Sequence, residues 1–163
     1  PDELRELHRR ASDWYNRNGD PSEAIRHALA AADFATAADL LETAAAALLR
    51  SRQDALLLGW LEALPEHVLR CRPVLCNAYA GALLVTGQPG SVEAHLRDAE
   101  WWLDKTTEEA NSAGMVVVDQ AEFRRLPGAI TDKRNKRCSS KGCGALVKTP
   151  SERQIANESP MPV

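Results

Sequence analysis

The stretch LHRRASDWYNRNGDPSEAIRHALAAADF, residues Leu7–Phe34, decides the fold. Apolar side chains recur at steps of three and four on both sides of a Gly-Asp-Pro sequence, which predicts two amphipathic helices joined by a tight turn. Gly19 suits the left-handed backbone after a helix, Asp20 is a good N-cap, and Pro21 fits a first helical turn, where its missing N–H is harmless. The apolar positions of the first helix are expected to face the core, namely Leu4, Leu7, Ala11, Trp14 and Tyr15. The stretch holds no chemical site, so it predicts a scaffold.

A related pattern returns 68 positions later along the chain. The matching pairs are Leu7 and Leu75, Gly19 and Gly87, Pro21 and Pro89, His27 and His95, and Ala31 and Ala99. Sixty-eight is twice 34, and about 34 residues is the period of a helix-turn-helix tetratricopeptide (TPR) repeat. Each predicted hairpin has an apolar face too large to hide alone, so we expect successive hairpins to stack in a row.

Further helices are predicted by the same spacing over residues 35–50, 53–64, 73–86 and 91–104. Residues 106–114 are predicted to be a loop, and the β-branched run 115–118 a linker or a helix entry. The predicted fold is therefore all-α, with about six or seven antiparallel helices arranged as TPR-like hairpins in a short solenoid. This domain is expected to span residues 1–128.

The composition changes at residue 129, where alanine and arginine give way to lysine, serine and asparagine. No long apolar period follows, and prolines crowd the end, so residues 129–163 are predicted to be a disordered tail. An alternative is that the tail is out of frame or a foreign junction. The true domain would then continue past Ala129, and the nucleotide sequence across codons 126–134 would show a shifted frame that restores an alanine-rich helix.

The charge is also divided at this point. Residues 1–128 hold 13 of the 20 Lys and Arg residues and 20 of the 23 Asp and Glu residues, a net charge of −7, whereas the tail carries +4. An acidic body does not attract phosphate backbones, so this segment is not expected to bind nucleic acid itself. The sequence has no run of 18 apolar residues and no signal-peptide pattern, which predicts no membrane partner and a cytoplasmic location.

Catalytic and metal-binding chemistry finds little support in the sequence. The four cysteines, Cys71, Cys76, Cys138 and Cys143, have four residues between the members of each pair, whereas common zinc knuckles have two. None of the histidines lies in a convincing acid-base arrangement, and no phosphate-binding loop is present. We expect neither an enzyme nor a metal or cofactor site in this chain. We interpret the basic run 133–137 as an incidental run in the disordered tail, and the alternative is a basic nucleic-acid tag.

The adjacent pair Trp101 and Trp102 is the candidate partner-binding site. Neighbouring residues on a helix point about 100° apart, so both indoles can hardly be buried in one face. One of them is expected to contact a neighbouring helix edge or a partner.

Three blocks of the sequence, in this order, resemble the helical-repeat arm of large ATP-dependent LuxR-family transcriptional regulators, the MalT-like group. The blocks are LHRRASDWYNRNGDPSEAIRHALAAADFATAADLLE, GWLEALPEHVL and RPVLCNAYAGALLVTGQ, and the resemblance covers about residues 4–128. In that family a nucleotide-binding module and a winged helix precede the repeats, and a DNA-binding helix-turn-helix ends the chain. The resemblance implies that Trp14, Gly19, Pro21, Trp60 and Pro65 are scaffold positions.

The expected function follows from that resemblance. The chain is interpreted as a fragment of such a regulator, whose repeats bind a protein or small-molecule inducer in a helical groove and relay this event to ATPase and DNA-binding domains outside the segment. ATP is expected only in the missing domain. One alternative is a free-standing TPR-like adaptor, and a second is a small helical metal-binding or hydrolytic protein.

Overall fold

The computed structural model describes residues 2–140, and all regular structure in that range is α-helical, as predicted. The helices are α1 (Asp2–Arg17), α2 (Pro21–Ala30), α3 (Phe34–Arg50), α4 (Asp54–Glu62), α5 (Glu66–Arg70), α6 (Pro73–Val85), α7 (Val92–Leu103), α8 (Thr107–Ser112) and α9 (Gln120–Ser140).

The first hairpin, α1–α2, forms as its sequence predicts. Gly19 has a φ of 79°, the Asp20 side chain accepts a hydrogen bond from the Glu23 N–H at 3.1 Å, and Pro21 is the first residue of α2. The buried Ser12 hydroxyl donates to the Ala24 carbonyl at 2.8 Å. This contact fixes α1 on α2 through the Ser12 face.

The apolar stripe of α1 was expected to face the core, and that expectation is wrong. Leu4, Leu7 and Trp14 are 61%, 58% and 59% exposed. Because the Ser12 face of α1 lies on α2, the stripe is turned toward solvent. Ser12 is the buried residue of this helix.

Helix α6 lies at the centre of the rest of the structure, where it packs against α3, α4, α5, α7 and α9. The hairpin α6–α7 is the counterpart of α1–α2, and Gly87 in its turn has a φ of 77°, close to that of Gly19. The core contains fully buried side chains from most helices, among them Ile25, Leu41, Leu57, Leu61, Leu75, Leu96 and Leu126. Helical hairpins are therefore present, whereas a TPR-like solenoid stays a prediction.

Two short helices lie where the sequence predicts none. Helix α8 replaces the predicted loop 106–114 and begins with a capping box, in which Thr106 and Glu109 exchange side chain to backbone hydrogen bonds. Helix α5 covers five of the seven residues between Pro65 and Pro73. Residues 115–118 form the predicted linker, and the Val116 N–H donates to the Cys71 carbonyl at 2.8 Å.

The predicted domain boundary at residue 128 is wrong for the next 12 residues, because α9 runs through it to Ser140. Leu126 and Ile130, one helical turn apart, are both buried in the core cluster. These two side chains lie on either side of the predicted boundary, and their burial packs the start of residues 129–140 against the core. Residues 141–163, with Cys143, lie outside the described residues, and the foreign origin of the tail stays a hypothesis.

Within residues 2–140, no helix has both the length and the apolar run that crossing a bilayer requires.

Candidate functional site

The two tryptophans at the end of α7 have opposite environments. Trp102 is 5% exposed, and its indole Nε1 donates a hydrogen bond at 2.7 Å to the carbonyl of Arg70, which is the last residue of α5. Trp101 is 49% exposed and meets Trp102 edge to face, with 4.6 Å between ring centroids. The buried indole thus positions the exposed one, while its own N–H is satisfied by the backbone.

A surface cavity of about 460 Å³ opens beside Trp101. It is lined by Arg70, Cys71, Arg97, Asp98, Trp101 and Trp102. Lys105 Nζ lies 4.5 Å from the centroid of the Trp101 ring, within range of a cation–π contact. The cavity therefore combines an aromatic wall with the guanidinium groups of Arg70 and Arg97 and the carboxylate of Asp98. Arg70 is already paired with Glu66 at 2.9 Å, so the lining favours a ligand with a flat apolar part and polar groups of mixed character. We call this the Trp101 surface.

A second cavity, of about 600 Å³, lies between the α1–α2 turn and helices α3 and α4. Ile25, Leu40, Leu48 and Trp60 supply apolar walls, and no acidic or basic side chain lines it. Such a lining favours uncharged groups, since it has no charge to pair with an ionised ligand.

The basic run 133–137 is not an incidental run in a disordered tail, and that interpretation is wrong. Arg134 contacts both oxygens of Glu100, at 3.0 and 2.7 Å, and also reaches Glu93. Arg137 Nη2 lies 3.0 Å from a Glu93 oxygen, and Lys133 Nζ donates to Asn77 Oδ1 at 2.9 Å.

These contacts tie α9 to α6 and α7, and they shift the pKa values of the side chains involved. Hydrogen bonding to Glu100 raises the pKa of Arg134 and lowers that of the Glu100 carboxyl, whereas burial lowers the pKa of Lys133. The cations of this run are paired within the protein, which leaves less of their charge for a polyanion.

A buried ion pair that the sequence analysis missed lies between α3 and the start of α6. Glu42 and Arg72 are 1% and 5% exposed, and Arg72 Nη1 lies 3.4 Å from Glu42 Oε2. Arg72 Nη2 also contacts Asp39 Oδ1 at 2.6 Å. Glu42 lies within the apolar stripe of α3, one turn after Ala38 and three residues before Ala45. An acidic residue in an apolar stripe is the sequence signal that indicates a buried ion pair.

Glu42 also holds the linker that leads into α9. Its Oε1 accepts hydrogen bonds from the backbone N–H groups of Val118 at 2.8 Å and Asp119 at 3.0 Å. Burial raises the pKa of the Glu42 carboxyl, although the two N–H donors and Arg72 oppose that effect. One carboxylate therefore joins α3, α6 and the α9 entry.

The cysteines and histidines occupy separate places. Cys76 is buried, and burial raises the pKa of its thiol to about 12, while Cys71 is half-buried and Cys138 is exposed on α9. His8 and His27 join α1 to α2 with 2.8 Å between their Nδ1 atoms. Among residues 2–140, no group of three or more His, Cys, Asp or Glu side chains could hold a metal ion.

His95 is expected to make stability depend on pH. It stacks on Tyr79 with 4.1 Å between ring centroids, and burial lowers its pKa below 6.5, although Asp98 and Glu66 act in the opposite direction. The unfolded chain then binds a proton at His95 more readily than the folded chain does. The contribution of His95 to the free energy of unfolding is therefore fully present above pH 6.5, and it is lost as the pH falls from there through the pKa of the folded state. We expect His95→Phe to flatten this decline, measured as the free energy of unfolding in urea between pH 5 and 8.

The control for this measurement is His67→Phe, because His67 is exposed on α5. This variant should keep the pH profile of the parent protein. Each pKa unit of depression is worth about 1.4 kcal/mol, so equal profiles for parent and His95→Phe would contradict the assignment.

Comparison with known proteins identifies relatives that are much longer than this chain. No family model matches the chain, and no solved structure matches it significantly. The serine/threonine-protein kinase PknK from two strains of Mycobacterium tuberculosis and one of Mycobacterium bovis is 41% identical to it over 88 residues. That similarity covers 53% of this chain and 8% of each kinase, so the chain spans only a small part of the relatives it matches.

Proposed function

We propose that this chain is the helical-repeat arm of a larger MalT-like, LuxR-family transcriptional regulator, and that it is a binding module with no catalytic activity. In this proposal the Trp101 surface binds a protein or a small-molecule inducer, and ATP and DNA are bound by other domains. The all-helical hairpins support the proposal. The similarity to a small segment of much longer kinases supports only its premise that a segment of this kind is one part of a longer protein.

The Trp101 surface is the observation that carries the proposal. A half-exposed indole held in place by a buried neighbour offers a large contact area, and little side-chain entropy remains to be lost on binding. Tryptophan and arginine side chains of this kind dominate the energy of many interfaces.

A relay from this surface follows from its neighbours on α7. Glu100 precedes Trp101 directly and binds Arg134 of α9, while Glu93, two turns earlier on α7, binds Arg134 and Arg137. A ligand that shifts the end of α7 would strain these ion pairs and so reposition α9. The α7–α9 contact is thus the element through which binding would be communicated.

The test starts from the genomic reading frame. We expect a phosphate-binding loop upstream and a helix-turn-helix downstream of this segment. In a transcription reporter driven by the whole protein, Trp101→Ala should reduce the response at a given stimulus at least tenfold, whereas Leu56→Ala, at another exposed apolar site, should leave it unchanged. A reading frame without a nucleotide-binding module would favour the free-standing adaptor, and an unchanged Trp101→Ala response would contradict the binding site.

A further inference from the structure

The exposed stripe of α1 has the spacing of a helix-pairing seam. Leu4, Leu7, Ala11 and Trp14 follow one another at steps of three, four and three, which is the a and d pattern of a coiled coil. Leu4, Leu7 and Trp14 are all more than half exposed. The neighbouring Ser12 face already contacts α2, so the hairpin leaves the seam open.

The charges of α1 are divided along its length. Its first five residues contain Asp2, Glu3 and Glu6 against one arginine, whereas residues 9–17 contain Arg9, Arg10 and Arg17 against one aspartate. A helix of this kind is complementary to a copy of itself that runs in the opposite direction, because the acidic end of each copy then lies beside the basic end of the other.

We propose that two copies of this chain pair through α1 as an antiparallel helix pair about a twofold axis. In antiparallel pairing each a position meets a d position of the other helix, so Leu4 packs on Trp14 of the second copy and Leu7 on Ala11. Glu3 then lies within reach of Arg17 of the second copy. Arg9, paired with Glu6 at 3.4 Å, stays on the outer side.

The size of this contact predicts a weak, concentration-dependent dimer. Helix α1 has 16 residues and is about 24 Å long, which places one helix pair at the low end of specific interfaces. Arg10 of each copy lies near the twofold axis, and repulsion between these two like charges weakens the dimer further.

Sedimentation velocity of the whole 163-residue chain over a wide concentration range tests the proposal. We expect a monomer at low concentration and a growing dimer fraction as concentration rises. Leu7→Glu should abolish the dimer, because it places a charge in the seam. Val85→Glu, at another exposed apolar position on α6, is the control and should not change association. Circular dichroism and the Tm of each variant check that it is folded.

Charge reversal tests the direction of pairing. Glu3→Arg and Arg17→Glu should each weaken the dimer several-fold, because each puts like charges together at both ends of the antiparallel pair. An equimolar mixture of the two variants should regain the parent affinity, because opposite charges then face each other at both ends. Single variants that dimerise as the parent does would overturn the antiparallel arrangement, since a parallel pair is insensitive to either change.

Two outcomes identify another occupant of the seam and overturn the proposal. The first is a chain that remains monomeric while acrylamide quenches the fluorescence of Trp14, measured as the part of the quenching that Trp14→Phe removes. A different protein or a preceding segment would then be the candidate that covers the seam. If Trp14 is instead shielded in a monomer, another part of the same chain covers the seam.

Discussion

Arg72→Met is expected to lower the free energy of unfolding by about 3–5 kcal/mol, because it leaves the Glu42 carboxylate buried without its cation. Arg72 is the charged partner of Glu42 between α3 and α6, and both side chains are almost completely enclosed. The substitution keeps much of the side-chain volume, so the loss reports mainly on charge. Urea unfolding followed by circular dichroism measures it.

The matched control is Arg125→Met, which breaks a surface pair with Glu122 whose closest atoms are 2.8 Å apart. Exposed pairs contribute about 0–1 kcal/mol, so this variant should unfold nearly as the parent does. The double variant Glu42→Leu with Arg72→Met should regain part of the loss, since no unpaired charge remains, although Val118 and Asp119 lose an acceptor. A loss below 1 kcal/mol for Arg72→Met would mean that Glu42 is not held as a buried carboxylate.

The parts of the fold that were predicted correctly depend on residues close together in sequence. The α1–α2 turn needs a glycine with positive φ, a capping aspartate and a proline, and Gly19, Asp20 and Pro21 are consecutive. Helical periodicity likewise lies within one segment, which is why α3, α6 and α7 begin and end within two residues of their predicted bounds.

The errors arise where a residue's partner is far along the chain. Glu42 is 30 residues from Arg72 and 76 from Val118, so its place in the apolar stripe of α3 indicates a buried carboxylate but does not identify its partners. Arg134 likewise belongs by composition to the predicted tail, and its partners Glu93 and Glu100 lie 41 and 34 residues earlier in the sequence. The boundary at residue 128 was predicted from a change in composition, and composition does not show that Arg134 has partners on α7, so the boundary falls inside helix α9.

The candidate site was predicted only in part, for the same reason. The 100° step along a helix separates Trp101 from Trp102, but it does not say which indole is enclosed. The carbonyl of Arg70, 32 residues away, decides this by accepting the Trp102 N–H. Whether the exposed Trp101 binds a partner stays a prediction.

Leu75→Ala is expected to cost about 2–5 kcal/mol of stability, whereas the same change at Leu7 should cost much less. The two leucines occupy equivalent positions of the 68-residue repeat, yet Leu75 is fully buried on α6 and Leu7 is 58% exposed on α1. Deleting Leu75 leaves a cavity among packed helices, while deleting Leu7 mainly removes surface that water already reaches. Both variants are compared by urea unfolding at low concentration, so that contacts between copies contribute nothing.

This pair of substitutions separates the repeat in the sequence from the environment in the structure. If position within the repeat decided stability, the two losses would be equal. Equal losses would also mean that α1 has a covering partner within the chain, because a leucine in a solvated seam has few packing contacts to lose. Unequal losses, with Leu75→Ala the larger by about 2 kcal/mol or more, are expected because α6 is packed on several sides and α1 packs on α2 through its Ser12 face.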